Sequence, residues 1–425
     1  DMRDTLFERN KVLASDGIRV LAVARRILPG KNTPSEQWED GLTFLGMVGI
    51  TDPPRPEAKA AVAAAHSAGI RIAVLTGDNA LTAGAVGKAI GLEFDRVMTG
   101  TELDDIDENK LYEVLKSKDS LFARVTPAHE MRLAKAFQTM GKICAMTGDG
   151  VNDAPALRQA DVGIAMGIKG SDVAKGAADV ILLDDSFSSL VDGIEEGRRQ
   201  FSNIKKFIWY MLCSNFGEVI ILSAGLFLTG LFAGFLPDST KEVFVLLPVQ
   251  ILWLNLVTDG ATALALGFER PEPGIMKEPP RDPTASLLPW KVVSILSGIG
   301  LYKAVLILFA FWYVLKNPGP GKDPLILAQT VALTGMVIFS KINVFNFRSL
   351  ENPLSTIGFF TNRFLLAAVA ATFVIQAAGV YHPLLQGYLG TTAIPFKYWL
   401  YLVLLALPLL VIGEVYKFAA NRAKT

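Results

Sequence analysis

Cysteine occurs only twice in the 425 residues and histidine only three times. Cys144 and Cys213 fit no metal-ligand spacing, and one lies in a polar half while the other lies in an apolar run. A disulfide between them is not expected, and a reduced, cytoplasmic face is. His66, His129 and His382 are scattered, which gives no histidine metal cluster. Neither sign of charge is in surplus: 41 Lys and Arg stand against 41 Asp and Glu. The electrostatic footprint of a nucleic-acid binder is therefore missing, and no nucleic-acid partner is expected. Charged residues make up only 19% of the chain and hydrophobic ones 51%. That is apolar for a soluble protein and calls for a membrane part. The opening stretch Asp1–Asp16 has no apolar core, so it does not read as a signal peptide. Residue 1 is not Met, and the natural start is expected upstream.

What is present divides into two halves. Up to about residue 200, short apolar runs alternate with helical patterns. The runs are Leu42–Ile50, Ile70–Thr76, Leu121–Val125, Lys142–Thr147, Val162–Met166 and Val180–Leu183. Helices are expected over Pro56–Ala68, Ala80–Ile90, Pro127–Met140 and Val173–Ala178. This alternation indicates a doubly wound, mostly parallel sheet, which places its chemistry at the carboxyl ends of its strands. From residue 200 onward, six apolar segments reach spanning length: Phe207–Phe232, Val243–Leu266, Leu287–Leu315, Ile326–Phe347, Phe364–Tyr381 and Tyr398–Val415. Six such runs in succession argue against buried helices of a large soluble protein. The loops after the second and fourth spans carry Arg270, Lys277, Arg281, Arg348 and Arg363, and the tail carries Lys417, Arg422 and Lys424. The opposite loops are poorer in Lys and Arg, which puts the first half and the tail in the cytoplasm.

The most specific local signal is Met146-Thr147-Gly148-Asp149-Gly150-Val151-Asn152-Asp153-Ala154-Pro155-Ala156-Leu157. A strand ends at Thr147, a glycine-flanked turn follows, and a helix begins near Asp153. Asp149 and Asp153 lie four apart across that turn, where their carboxylates can converge. Mg²⁺ prefers a few hard oxygen ligands together with phosphate oxygens. Asn152 can hydrogen-bond a phosphoryl oxygen, and the glycines let backbone N–H groups approach an anion. A lone Thr-Gly-Asp-Gly would more often be a solvated helix cap, but the full twelve-residue string is far more specific. A second Thr-Gly-Asp closes the strand at Thr76, Gly77 and Asp78.

On these residues the chain resembles the P-type cation-transporting ATPases, whose phosphorylation domain belongs to the haloacid dehalogenase superfamily. The resemblance covers essentially the whole chain. It implies an α/β haloacid dehalogenase-like, Rossmann-like partial domain, followed by an all-α domain of six transmembrane helices. Residues 1–48 would be a remnant of the nucleotide-binding domain. Residues 49–200 would be a phosphorylation domain lacking its first strand and nucleophile, and 201–425 the membrane domain. Asp149 is implied as the Mg²⁺ ligand, with Asn152 and Asp153 supporting the phosphate site and the Thr76 hydroxyl holding a phosphoryl oxygen. Gly77 and Asp78 belong to that second motif. Asp52-Pro53-Pro54-Arg55 resembles the hinge between domains. Arg19, in Gly17-Ile18-Arg19-Val20-Leu21, matches the position from which the family reaches ATP phosphates. The implied cofactors are Mg²⁺ and ATP.

The sequence departs from the family pattern in two places. No Asp-Lys-Thr-Gly-Thr phosphorylation motif occurs in it. Most of the nucleotide domain, the actuator domain and the first four spans also have no counterpart, so these are the expected partners, together with a lipid bilayer. Alone, the chain is expected to be inactive. Second, Arg124–Glu130 resembles a segment that usually ends in a Lys, which stabilises charge on the phosphoryl group. Here that position is Glu130. Either Lys135 reaches back from the next turn to compensate, or the chemistry is slowed.

Within the spans, Ser214-Asn215-Phe216-Gly217-Glu218 places Asn215 and Glu218 three apart, and Asn255-Leu256-Val257-Thr258-Asp259-Gly260 groups Asn255, Thr258 and Asp259. A charge at the centre of a membrane helix costs about 3 kcal/mol or more, so such residues are functional candidates. Asn and Thr alone often serve as polar glue between helices; two carboxylates argue for more. Together the oxygens suit Ca²⁺, and less selectively Na⁺ or Mn²⁺. Gly260 would let the second span loosen and offer carbonyls. The pattern resembles the calcium-pump branch, in which a further carboxylate comes from the eighth span. Here that position aligns with Ser340, followed by Lys341, so one ion per cycle is expected. The function expected for the intact pump is ATP-driven cation export, with Ca²⁺ as cargo, at the plasma membrane. The alternatives are a pump for Na⁺ or Mn²⁺, a membrane-tethered phosphatase of the same superfamily, or a non-catalytic subunit or fragment.

Overall fold

Apolar runs of three to eight residues, each punctuated by a turn or helix start, become strands in the first 200 residues. The computed structural model describes residues 2–27, 38–50, 53–116, 118–236, 243–319, 321 and 323–422. The strands are β1 (Arg19–Arg25), β2 (Thr43–Ile50), β3 (Ala73–Thr76), β4 (Val97–Thr99), β5 (Ser120–Ala123), β6 (Ala145–Gly148), β7 (Val162–Met166) and β8 (Val180–Leu182). The helices between them are α1 (Met2–Ser15), α2 (Ala58–Ser67), α3 (Ala80–Ile90), α4 (Gly100–Asp104), α5 (Glu108–Lys116), α6 (Pro127–Thr139), α7 (Ala154–Gln159) and α8 (Asp172–Ala177). The six sequence-derived strands and four helices are all present. The helix expected near Asp153 is α7, whereas helix α1, strands β1 and β4, and helices α4 and α5 were not anticipated, because they are short or weakly patterned.

Strands β1 and β2 form an antiparallel ribbon, from Arg19 opposite Ile50 to Arg25 opposite Thr43. The other six are parallel but fall into two sheets, ordered β3-β5-β4 and β6-β7-β8. A single doubly wound sheet was expected. Among the described residues, nothing pairs with the second edge of β3 or of β6. The strands that end in Thr-Gly-Asp are thus both edge strands. In the first sheet β5 is central and buried along its whole length, as a parallel strand covered on both faces must be. Phe122 packs with Met98, Leu103, Leu111 and Leu133. Leu121 and Ala123 pack on the other face with Val62, Ala83 and Leu92.

Among the described residues, six helices are long and apolar enough to cross a membrane: Phe187–Phe227, Pro248–Leu266, Trp290–Lys316, Pro324–Phe347, Arg363–Tyr381 and Phe396–Ala419. They match the six expected segments. The first begins 20 residues before its apolar run, because the polar stretch ahead of Phe207 continues the same helix for a total of 41 residues. The fourth span is the hub, with 83% of its apolar window buried inside the protein. The second span is not regular: α-helix over Pro248–Leu252 widens to a π-helix over Trp253–Asp259, then returns to α-helix from Gly260. Such single-turn widenings are rare and concentrate at functional sites. The loosening expected at Gly260 therefore occurs just before it.

Two compact units result: Asp1–Ile194 with Met276–Pro283, and Glu195–Ile275 with Thr284–Thr425. Pro279 and Pro280, in the proline-rich loop after the second span, pack against Gly69, whose φ of +71° and lack of a Cβ admit them.

Candidate functional site

In the first unit, the two Thr-Gly-Asp strings end β3 and β6. Thr76 accepts a 3.1 Å hydrogen bond on Oγ1 from the Asp78 N–H. Asn79 caps α3 by accepting from Leu81 N–H at 3.0 Å. Gly77 and Asp78 are exposed at this turn. At the end of β6, Asp153 Oδ2 accepts the N–H groups of Asp149 and Gly150, both at 2.9 Å. A Cβ on Gly148 would sit 2.5 Å from Asp153 Cβ, so only glycine lets the Asp153 carboxylate close the loop. Asp153 thereby shapes the turn, while Asp149 and Asn152 stay exposed beside it. The backbone carbonyl of Asp149 accepts from Ser171 N–H at 2.8 Å, which ties the loop to the start of α8.

Among the described residues, no three Asp, Glu, His or Cys side chains converge as a preformed metal shell. The donor set nevertheless fits Mg²⁺. That ion keeps several waters and takes one or two carboxylates with phosphate oxygens, and Asp149 presents an exposed carboxylate at the strand end. Arg55 donates to the Asp184 carbonyl at 3.4 Å. Asp52 lies outside the described residues. Arg19 lies in β1, but its side chain is likewise outside what is described.

Glu130 stands in the first turn of α6 with Oε2 buried and unpartnered. Burial, and then the charge of Asp153, push its carboxyl above the usual range. Lys135 does not reach back. Five residues along a helix turn about 140° away, and Lys135 is exposed. Arg132 is committed elsewhere, to the Ile106 carbonyl at 2.7 Å and Glu108 at 2.8 Å. An acid whose folded pKa is raised folds best protonated. Its contribution is intact below the unfolded value of about 4.3 and is lost as pH rises through the folded pKa. Glu130→Gln should therefore stabilise the first unit at pH 7 and raise its thermal midpoint, with a gain in stability of at most about 1 kcal/mol because water screens a half-buried group. It should leave the midpoint unchanged at pH 4. Unfolding curves at the two pH values test this, and a loss at pH 7 would show a stabilising contact for Glu130.

In the second unit, Glu218, Thr258 and Asp259 are buried together with Ser214 and Ser340. Asn255 donates to Glu218 Oε2 at 2.9 Å, whereas Glu218 Oε1 is buried without a partner. Asp259 is differently placed. Lys341 Nζ lies 2.7 Å from its Oδ1, and Ser214 donates to its Oδ2. Asn215 is exposed in this structure, on the same helix as the buried Glu218. Positions three apart differ by about 60° around a helix, and the inward face is centred on Ser214, Gly217 and Glu218. Residues that the sequence reasoning missed are Tyr210, Ser214 and Lys303, all buried in this cluster. A lysine in the apolar run of the third span was the available signal for Lys303. It enters the cluster because Gly217 and Gly300 bring the first and third spans close: a Cβ on Gly300 would lie 3.0 Å from Gly217 N.

Comparison with known proteins agrees with both units. Residues 13–161 match the haloacid dehalogenase-like hydrolases, and residues 243–419 match the C-terminus of cation transporting ATPases. The chain is 40% identical over 400 residues to a calcium-transporting ATPase of Bacillus subtilis (strain 168), covering 92% of this chain and 42% of that protein. It is 38% identical over 430 residues to calcium-transporting ATPase 1 of Bacillus cereus, covering 98% and 47%. With the endoplasmic reticulum-type calcium-transporting ATPase 4 of Arabidopsis thaliana it shares 36% over 440 residues, covering 90% and 40%. The chain thus spans less than half the length of these curated relatives. Over the residues it contains, it belongs to the cation-transporting ATPases and corresponds to their C-terminal part.

Proposed function

We propose that this chain supplies one side of the phosphorylation site and the last six spans of a pump that exports Ca²⁺ at the expense of ATP. The observation that carries the ion reading is Glu218: one carboxylate oxygen takes the Asn255 amide, and the other is buried with no partner. A buried anion with an open oxygen is a ligand awaiting a cation. Thr258, Asp259 and the widened turn of the second span lie beside it, and Asn215 stands at the edge of the same helix.

In the phosphorylation site, Thr76 and Asn152 would hold phosphoryl oxygens, and the Asp153-closed loop fixes the place of Asp149. Asp149 would hold Mg²⁺, which supplies charge neutralisation for phosphoryl transfer. Gly77 and Asp78 complete the first loop, and Arg55, Asp52 and Arg19 belong to the ATP side of the domain. Residues 1–48, 49–200 and 201–425 are then the end of the nucleotide domain, the phosphorylation domain and the membrane domain. The acceptor aspartate, the actuator domain and the first four spans would come from the remainder of such a pump, set in a plasma membrane. Phosphorylation and ion binding would each favour one of two states of the spans, which is what couples them.

The test uses the chain by itself. Incubated with labelled ATP and Mg²⁺ and quenched in acid, it should carry no hydroxylamine-sensitive label, because the sequence holds no Asp-Lys-Thr-Gly-Thr. Combined with the upstream part of the pump, it should support labelling that depends on micromolar Ca²⁺. Labelling of the isolated chain, or labelling of the combination that ignores Ca²⁺, would refute this function.

A further inference from the structure

Two acidic and two basic side chains are buried together among this chain's own spans one to four: Glu218, Asp259, Lys303 and Lys341, each 5% exposed or less. Two carboxylates and two ammonium groups sum to zero, so the cluster is charge-balanced as it stands. Lys341 Nζ has an oxygen shell: Asp259 Oδ1 and the Thr258 carbonyl at 2.7 Å, Thr262 Oγ1 at 2.8 Å and Tyr210 Oη at 3.1 Å. Carboxylate, carbonyl and hydroxyl oxygens are the donors that a hard metal cation takes. Lys303 Nζ donates to Ser340 Oγ at 2.9 Å and lies 3.5 Å from Ser214 Oγ. Ser214 in turn donates to Asp259. Both ammonium groups thus connect to Asp259 from different helices, Lys341 directly and Lys303 through Ser214, while the charge of Lys303 also acts on Glu218. The cavity beside Lys303, which Tyr210, Ser214 and Ser340 also line, is only about 10 Å³, room for about one water. Only the Glu218 end keeps an unpartnered oxygen.

We propose that the Lys341 ammonium, reinforced by Lys303, is a built-in cation that permanently occupies the Asp259 end of the cage. Exchangeable divalent cation is thereby confined to the Glu218–Asn255 end. This rests on reading the cluster as an ion pathway, and it assigns Lys303 and Lys341 as the residues that set its stoichiometry. It differs sharply from a role as helix glue. If the ammonium stands in for a metal ion, a metal ion must be able to stand in for the ammonium.

The experiment is thermal unfolding of the full chain in detergent micelles, followed by tryptophan fluorescence, with calcium or with chelator at matched ionic strength. Lys341→Met should unfold earlier than wild type in chelator, and millimolar Ca²⁺ or Mn²⁺ should restore most of the loss, whereas K⁺ should not. Equilibrium dialysis should show one more Ca²⁺ bound per chain than wild type. Lys341→Met with Asp259→Asn should lose both responses. Lys303→Met should show a weaker form of the same cation rescue, and it decides the matter if Lys341→Met does not fold in chelator. Absence of cation rescue, its persistence in the double variant, or failure of both single variants to fold even in Ca²⁺ would overturn the proposal. The two readings fail separately. A wild-type chain that binds no Ca²⁺ at Glu218 sinks the transport reading and leaves the rescue at Asp259 standing, and the converse also holds.

Discussion

Glu218→Gln is expected to raise the free Ca²⁺ needed for half-maximal phosphorylation of the complete pump by about a hundredfold. The amide keeps the shape of the side chain and its contact with Asn255. It removes the negative charge at Oε1, which is buried without a partner. Loss of a charge interaction in a buried site costs about 3 kcal/mol, and each 1.4 kcal/mol is a factor of ten in affinity. Phosphoenzyme formation against buffered Ca²⁺ measures this directly. An activation curve that moves by less than threefold would show that Glu218 is interhelical glue. Asp259→Asn is a useful companion, because Asp259 is already matched by Lys341 at 2.7 Å. Its main expected effect is to strand the ammonium group rather than to weaken one ligand among several.

The second large effect is expected at Asp149. Asp149→Asn in the complete pump should slow Mg²⁺-dependent phosphorylation by about a hundredfold or more, since a metal ion contributes several kcal/mol of charge stabilisation. The loop itself should survive, because the two backbone N–H groups that hold it are bound by Asp153, not by the Asp149 side chain. Rapid-quench phosphorylation across a range of Mg²⁺ separates a lost ligand from a collapsed loop. A lost ligand shifts the Mg²⁺ dependence, whereas a collapsed loop lowers the rate at every concentration. A normal rate with a normal Mg²⁺ dependence would remove Asp149 from the metal site.

Much of this was legible in the residues because it is local. The β6 string could be placed at a strand end from its apolar run and glycine-flanked turn, and β6 does end at Gly148. The spans could be counted because a bilayer demands long apolar runs whatever their neighbours. Where the expectation was one sheet, the alternation of strands and helices was right, but hydrogen bonding between β3 and β6 could not be judged from their sequences. At Glu130, helical spacing alone was enough to doubt Lys135, since positions five apart do not share a face. Asn215 shows the opposite limit. Its spacing from Glu218 is compatible with a shared face, and only the packing of the first span against its described neighbours adds Ser214 to that face.

By itself, then, the sequence determined the order of the longer elements, the two Thr-Gly-Asp turns and the presence of carboxylates in the spans. Those features depend on hydrophobic period, turn chemistry and residue type, all of which are read over a few neighbouring positions. Only the tertiary structure decided which carboxylate is free and which is already neutralised. Lys341 reaches Asp259 across 82 positions of chain, and Lys303 arrives from a third helix through the Gly217–Gly300 approach. Charge balance in a medium that screens poorly is a property of what is packed together in space, and helix packing, not spacing along the chain, sets it.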